Sequence, residues 1–296
     1  MQDKNYVEEQ YLPKADISWI RNRYLGVSYA ETSPSQKMDI YLPNQGQGPF
    51  PVLIFVHGGA FKMGCRGDQQ VQHYLSGLEH GFAVVSLDYR LSGEAVFPAG
   101  LQDCKAAIRY LRAHAEEYHL DPDRFAAAGR SSGANYVLML AATSGSDIWN
   151  DKSLGYGEES PDIQCAVSWY APTDFRLMDD MLRESGLGKF ADHHEEDSPE
   201  SMYMGGSLME INPDYVEAAN PIGYITSKLP PILLQAGRQD PVVPYQQSKI
   251  FHERACEVCG EERTVFEIIE EAKHADPKFE TEANIKRMWD FIEAHV

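Results

Sequence analysis

FAAAGRSSGA, residues 125–134, joins a short apolar run to a helical pattern through a turn with glycines at 129 and 133. A serine on such a sharp strand-to-helix turn is held exposed, and the flanking glycines let neighbouring backbone pass close by. The turn also sets the serine at a helix N-terminus, where the dipole and free N–H groups favour developing negative charge. Register selects Ser131, because Ser132 would need glycines at 130 and 134, which are Arg130 and Ala134. A Gly-Ser turn that merely starts a helix would carry the same string, so the partners have to come from elsewhere in the chain.

Outward from the turn, residues 37–42 (KMDIYL) alternate polar and apolar with a period of two, as a half-buried strand does. Residues 51–56, 82–87, 165–170, 232–234 and 265–269 are continuous apolar runs, the pattern of parallel strands covered on both faces. Between them lie helical patterns: 101–117, with Leu101, Cys104, Ile108 and Leu111 on one face; 245–256; and 280–294, with Ile285, Met288, Trp289 and Ile292 inward. Strands alternating with helices predict an α/β fold, a mostly parallel central sheet flanked by helices. No Pro/Gly/Ser linker divides residues 1–296, which predicts one domain. Residues 179–220 break the alternation, with glycines at 186, 188, 205 and 206 around a charged centre, HHEEDSPE. A connection this long reads as a lid-like insertion over a site. His193, His194, Glu195, Glu196 and Asp197 read as a solvated acidic cover rather than a metal site, since adjacent ligands in a flexible run are poorly preformed. Met202, Tyr203, Met204, Trp169 and Tyr170 are candidates for a pocket wall or, equally, for core.

The run 51–56 ends in His57-Gly58-Gly59-Ala60. Acyl transfer passes through a tetrahedral oxyanion that needs preorganised N–H donors about 3 Å away. A loop poor in side chains supplies them, which points to the amides of Gly59 and Ala60, joined by Ser132, with Gly58 giving the backbone freedom. His57 reads as a hydrogen-bonded loop histidine. A nucleophilic serine also needs a base and an orienter for that base. Among the ten histidines, His274 follows the run 265–269 in a loop before the last helical pattern, whereas His73, His80, His114, His119 and His252 fall in or at the ends of helical patterns. Asp240 follows the run 232–234 through an equivalent loop, and the carboxyl ends of parallel strands are where such sheets assemble sites. Asp174, after 165–170, is the alternative acid. Its loop position relative to His274 favours Asp240, and Ser131, Asp240, His274 is then the chain order of serine, acid and histidine.

Composition excludes several partners. Twenty-six Lys and Arg against 45 Asp and Glu give a formal charge of −19, which repels nucleic acid and anionic membrane surfaces. A hydrophobic share of 43% is ordinary for a globular chain, so the acidity does not signal disorder. Residues 1–14 are polar and lack the apolar core of a signal peptide, and no apolar run is long enough to span a bilayer. Five scattered cysteines, odd in number, suit reduced thiols, so the location predicted is cytoplasmic. Cys256 and Cys259 read as two thiols one helical turn apart rather than a metal or redox pair. Homo-oligomer formation is left open.

The stretches KMDIYLP, VLIFVHGGAF, VVSLDYRL, FPAGLQDCKAAIRYLR, LDPDRFAAAGRSSG, PTDF, ANPIGYI and PPILLQAGRQDPVVP, with His274 after the last strand, cover roughly residues 24–296. In this series the chain resembles a serine esterase of the α/β-hydrolase superfamily, in the bacterial hormone-sensitive-lipase-like branch, and is similar to feruloyl and acetyl-xylan esterase-like carboxylesterases. The resemblance implies hydrolysis of small carboxylic esters, a Ser131–Asp240–His274 triad, an oxyanion hole from the 58–60 loop and Ser132, and no metal or cofactor. Relatives usually read G-x-S-A-G-G, and Arg130 is the conspicuous departure. It reads either as a cation paired with nearby carboxylates or as an arginine with a merely structural or solvent-facing role. An amide or formamide substrate uses the same machinery, as in an arylformamidase, and the fold can also persist as a non-catalytic binding module.

Overall fold

The computed structural model describes residues 12–296, so part of the charged N-terminal stretch, residues 1–11, lies outside the described residues. The strands are β1 (Arg23–Ser28), β2 (Lys37–Tyr41), β3 (Phe50–Val56), β4 (Ala83–Leu87), β5 (Leu120–Arg130), β6 (Cys165–Trp169), β7 (Ile232–Gly237) and β8 (Thr264–Ile269). They form one sheet in the order β1-β2-β4-β3-β5-β6-β7-β8. β1, β2 and β4 pair antiparallel, and every pairing from β4 through β3 to β8 is parallel. This is the α/β-hydrolase arrangement.

The apolar runs are continuous because both faces of the sheet are covered. Along β3, Val52, Ile54 and Val56 join a core with α1 (Ala99–Ala113), α2 (Ser132–Ala142) and α6 (Gln246–Cys259). Leu53 and Phe55 point the other way, onto a layer built from α7 (Glu282–His295) and residues 71–78. The predicted inner faces hold: Leu101, Cys104, Ile108 and Leu111 are fully buried, as are Met288, Trp289 and Ile292, while Ile285 packs at the margin.

Two elements depart from the sequence expectation. β1 carries no alternating or continuous apolar signal because it is an exposed edge strand, its register with β2 broken between Tyr24 and Val27. β5 extends well upstream of the run 125–128, through a polar half (Asp121 to Arg124) that is largely exposed.

The segment 179–220 folds into short helices, with α3 (Met178–Glu184), α4 (Pro199–Met204) and α5 (Pro213–Glu217). Its charged centre is solvated at Glu195, Glu196 and Asp197 but anchored beside them. Asp179 is buried and faces His193 Nδ1 through Oδ1 at 2.8 Å, and it accepts the His194 amide through Oδ2 at 3.2 Å. Among the described residues, no helix is long and apolar enough to cross a membrane.

Candidate active site

β5 ends on Arg130, and the chain turns so sharply at Ser131 that its φ is +54°, a left-handed conformation that non-glycine residues adopt only when their surroundings impose it. The imposing contacts are visible. The Ser131 amide donates to Trp169 O on β6 at 2.9 Å, and α2 begins at the next residue. Gly133 has no alternative here: a Cβ would sit 2.2 Å from Val56 O and 2.4 Å from His57 O. Gly58 does the same for the opposite wall, since a Cβ there would lie 2.7 Å from Arg130 O.

His274 Nε2 lies 3.0 Å from Ser131 Oγ, and His274 Nδ1 lies 2.8 Å from Asp240 Oδ2. A carboxylate can only accept, so Nδ1 carries the proton and the Nε2 lone pair faces the serine hydroxyl. Asp240 is fixed from behind, its Oδ1 accepting the amides of Val242 at 2.8 Å and Val243 at 2.9 Å. Asp174 is spent elsewhere, accepting the Arg176 amide at the start of a helical turn. His57 is stacked on Tyr89, ring centroids 4.5 Å apart, with Nδ1 2.9 Å from Gly58 O.

Beside the serine, the amides of Gly59, Ala60 and Ser132 make no hydrogen bond to other described residues. The Gly58 amide is not free: it donates to Gln70 Oε1 at 2.9 Å, so of the 58–60 loop only the last two amides remain as donors. Gln70 thus locks the loop from outside. Nothing in the sequence singles it out, because it lies in a short helical turn far from any motif.

A cavity of about 430 Å³ opens over Ser131 and His274, walled by Met63, Tyr170, Val242 and Ala275 with Arg130 and Glu280. None of residues 179–220 lines it. Of the five proposed wall residues only Tyr170 borders the cavity; Trp169, Tyr203 and Met204 are core, and Met202 is exposed elsewhere. Tyr203 instead stacks on Phe61, ring centroids 3.9 Å apart, directly beyond Ala60, so the segment buttresses the 58–60 loop. Arg130 is paired rather than solvent-facing: it is buried and donates through Nη1 to Glu280 Oε1 at 2.7 Å. Burial pushes the Tyr170 phenol up to about 12, so it stays neutral beside the imidazole.

A family model described as BD-FAE matches residues 38–255. The esterase LipQ of Mycobacterium tuberculosis is 32% identical over 203 residues, which cover 68% of this chain and 44% of LipQ. The chain spans about half the length of the curated relatives it matches. Among solved structures, a truncated form of a carbohydrate esterase from gut microbiota superposes with a TM-score of 0.81 at 27% identity, over 95% of this chain and 98% of that one. A bifunctional GH43-CE protein of Bacteroides eggerthii superposes at 0.78 and 29% identity, over 92% of this chain and 35% of that one.

Proposed function

The chain belongs to the BD-FAE family, and on that premise we propose that it is a serine esterase that hydrolyses small carboxylic esters by two-step acyl transfer. The observation that carries the reading is the unbroken series Asp240–His274–Ser131 beside the amides of Gly59, Ala60 and Ser132, which are unpaired among the described residues. Ser131 Oγ attacks the ester carbonyl carbon while His274 Nε2 takes its proton, and Asp240 stabilises the imidazolium. The carbonyl oxygen becomes an oxyanion that accepts from the three amides. The bond to the alcohol oxygen then breaks and the alcohol departs with the proton from His274. Water attacks the acyl-enzyme, giving its proton to His274, and the acid leaves as Ser131 regains its own.

Likeness to a carbohydrate esterase supports esters of a sugar hydroxyl, with acetyl and feruloyl as acyl groups, as the first substrates to try. The continuous sheet supports a single domain, and the five unpaired cysteines support a reducing, cytoplasmic setting.

A fluorophosphonate probe and an ester panel test this. Wild-type protein should label at Ser131 and turn over p-nitrophenyl acetate, while Ser131→Ala should lose labelling and at least about 10³-fold in kcat. Absence of labelling in the wild type would favour a binding module. In the panel, aryl acetate, feruloyl ester, acetylated sugar and N-formylkynurenine separate acyl from alcohol preference, and a formamide preferred over every ester would replace the esterase reading with an amidase one.

A further inference from the structure

Arg130 stands immediately before the proposed nucleophile, yet the hydrogen bonds its guanidinium makes in the structure go to neighbouring side chains. Its Nε donates to Tyr170 Oη at 2.7 Å, and its Nη1 to Glu280 Oε1 at 2.7 Å. Tyr170 follows β6, and its ring meets the His274 imidazole edge-on, centroids 4.8 Å apart at 64°. Glu280 closes the helical turn Pro277–Glu280, a few residues beyond His274 on the same loop. Its Oε2 faces His73 Nε2 at 3.3 Å, on the layer beneath. One planar side chain therefore ties the ends of β5 and β6 to the loop that carries the base.

Strain marks the same three places. Ser131, Tyr170 and Ala275 have φ of +54°, +45° and +53°, and conformations of this kind persist only where the surroundings over-determine them. The cross-links on Arg130 are part of that surrounding. We propose that Arg130 is a positioning residue that holds the His274 loop in register with Ser131 through Glu280 and Tyr170. The inference rests on the esterase reading and deepens it.

The chemistry of the pair fits this role. The Glu280 carboxyl is held down to about 2, chiefly by the hydrogen bond with His73 and then by Arg130, so it is ionised wherever an esterase would work. A planar guanidinium offers donors in two fixed directions, one for each partner, whereas a lysine ammonium is a point charge on a flexible stem. Because Arg130 acts through the base, its loss should appear in the chemical step and leave ester binding nearly unchanged.

The test uses the full chain and p-nitrophenyl acetate, with the rate of Ser131 phosphonylation as a second readout of serine–histidine alignment. Arg130→Met should lower kcat by about 10²-fold, the cost of misplacing a catalytic group by about 1 Å, with KM within about twofold. Phosphonylation should slow in parallel. Glu280→Gln should lower kcat by about tenfold, and the double variant should be no worse than Arg130→Met alone, because coupled residues are not additive. Arg130→Lys should recover only part of the loss. Unchanged kcat in Arg130→Met, a rise in KM with kcat kept, multiplicative losses in the double variant, or full recovery by lysine would each overturn the proposal. Should Arg130→Met fail to fold by circular dichroism, Glu280→Gln decides alone: a loss in kcat with KM kept supports the role, and wild-type kcat overturns it. A wild-type chain that neither labels nor turns over any ester defeats the esterase reading itself, an outcome distinct from all of these.

Discussion

Asp240 shows how much one side chain can be asked to do. One oxygen accepts the hydrogen bond from His274 Nδ1, and the other accepts those of two backbone amides, so all its groups in use are acceptors. Asn at this position must turn an N–H₂ either to the imidazole or to those amides. Asp240→Asn should therefore lower kcat by about 10²- to 10⁴-fold, through the wrong imidazole tautomer or a displaced loop. Steady-state kinetics with unchanged circular dichroism would check it, and a loss under tenfold would remove Asp240 from the proposed role. Ser131, Asp240 and His274 were legible because a turn motif and strand-end loops mark them along the chain. Gln70, His73 and Glu280 were not. Their roles exist only across space, and His73 in the sequence looks like any polar residue beside a helical pattern.

At the scale of elements, legibility followed burial. Strands covered on both faces announce themselves as unbroken apolar runs, and the central ones were readable, whereas β1 at the edge sheds that signal because solvent replaces one partner. The segment 179–220 was legible as an interruption but not in its placement, since nothing local says which side of the sheet it packs on. Its α4 carries Tyr203, wholly buried against Phe61 and also in edge contact with Tyr136 and Phe97. Tyr203→Ala should cost about 3–5 kcal/mol of stability, as large-to-small aromatic replacements in a core do. Because Phe61 adjoins Ala60, kcat should fall as well, while Tyr203→Phe keeps the ring and should spare both. Chemical denaturation and kinetics on the pair of variants would read this. Stability lost with kcat intact would make α4 a support of the core alone.

For the whole molecule, the charge of −19 has a narrower meaning than an acidic cover over the site would have given it. Besides His274, the acidic and basic side chains bordering the cavity among the described residues are Arg130 and Glu280, bound to each other, and none of residues 179–220 lines it. Replacing Glu195, Glu196 and Asp197 with their amides should thus change kcat/KM for neutral and anionic esters alike by less than about twofold at ordinary salt. A selective gain for anionic esters would mean the segment reaches the substrate after all. The sheet order has a different consequence, in time. Synthesis delivers the glycine loop and Ser131 long before His274, which follows β8, and among the described residues β8 pairs only with β7. A nascent chain therefore holds a serine and its amide donors without a base. On this topology the proposed hydrolytic activity is withheld until β8 and the His274 loop have left the ribosome and docked, so turnover would report that docking rather than the presence of Ser131 alone.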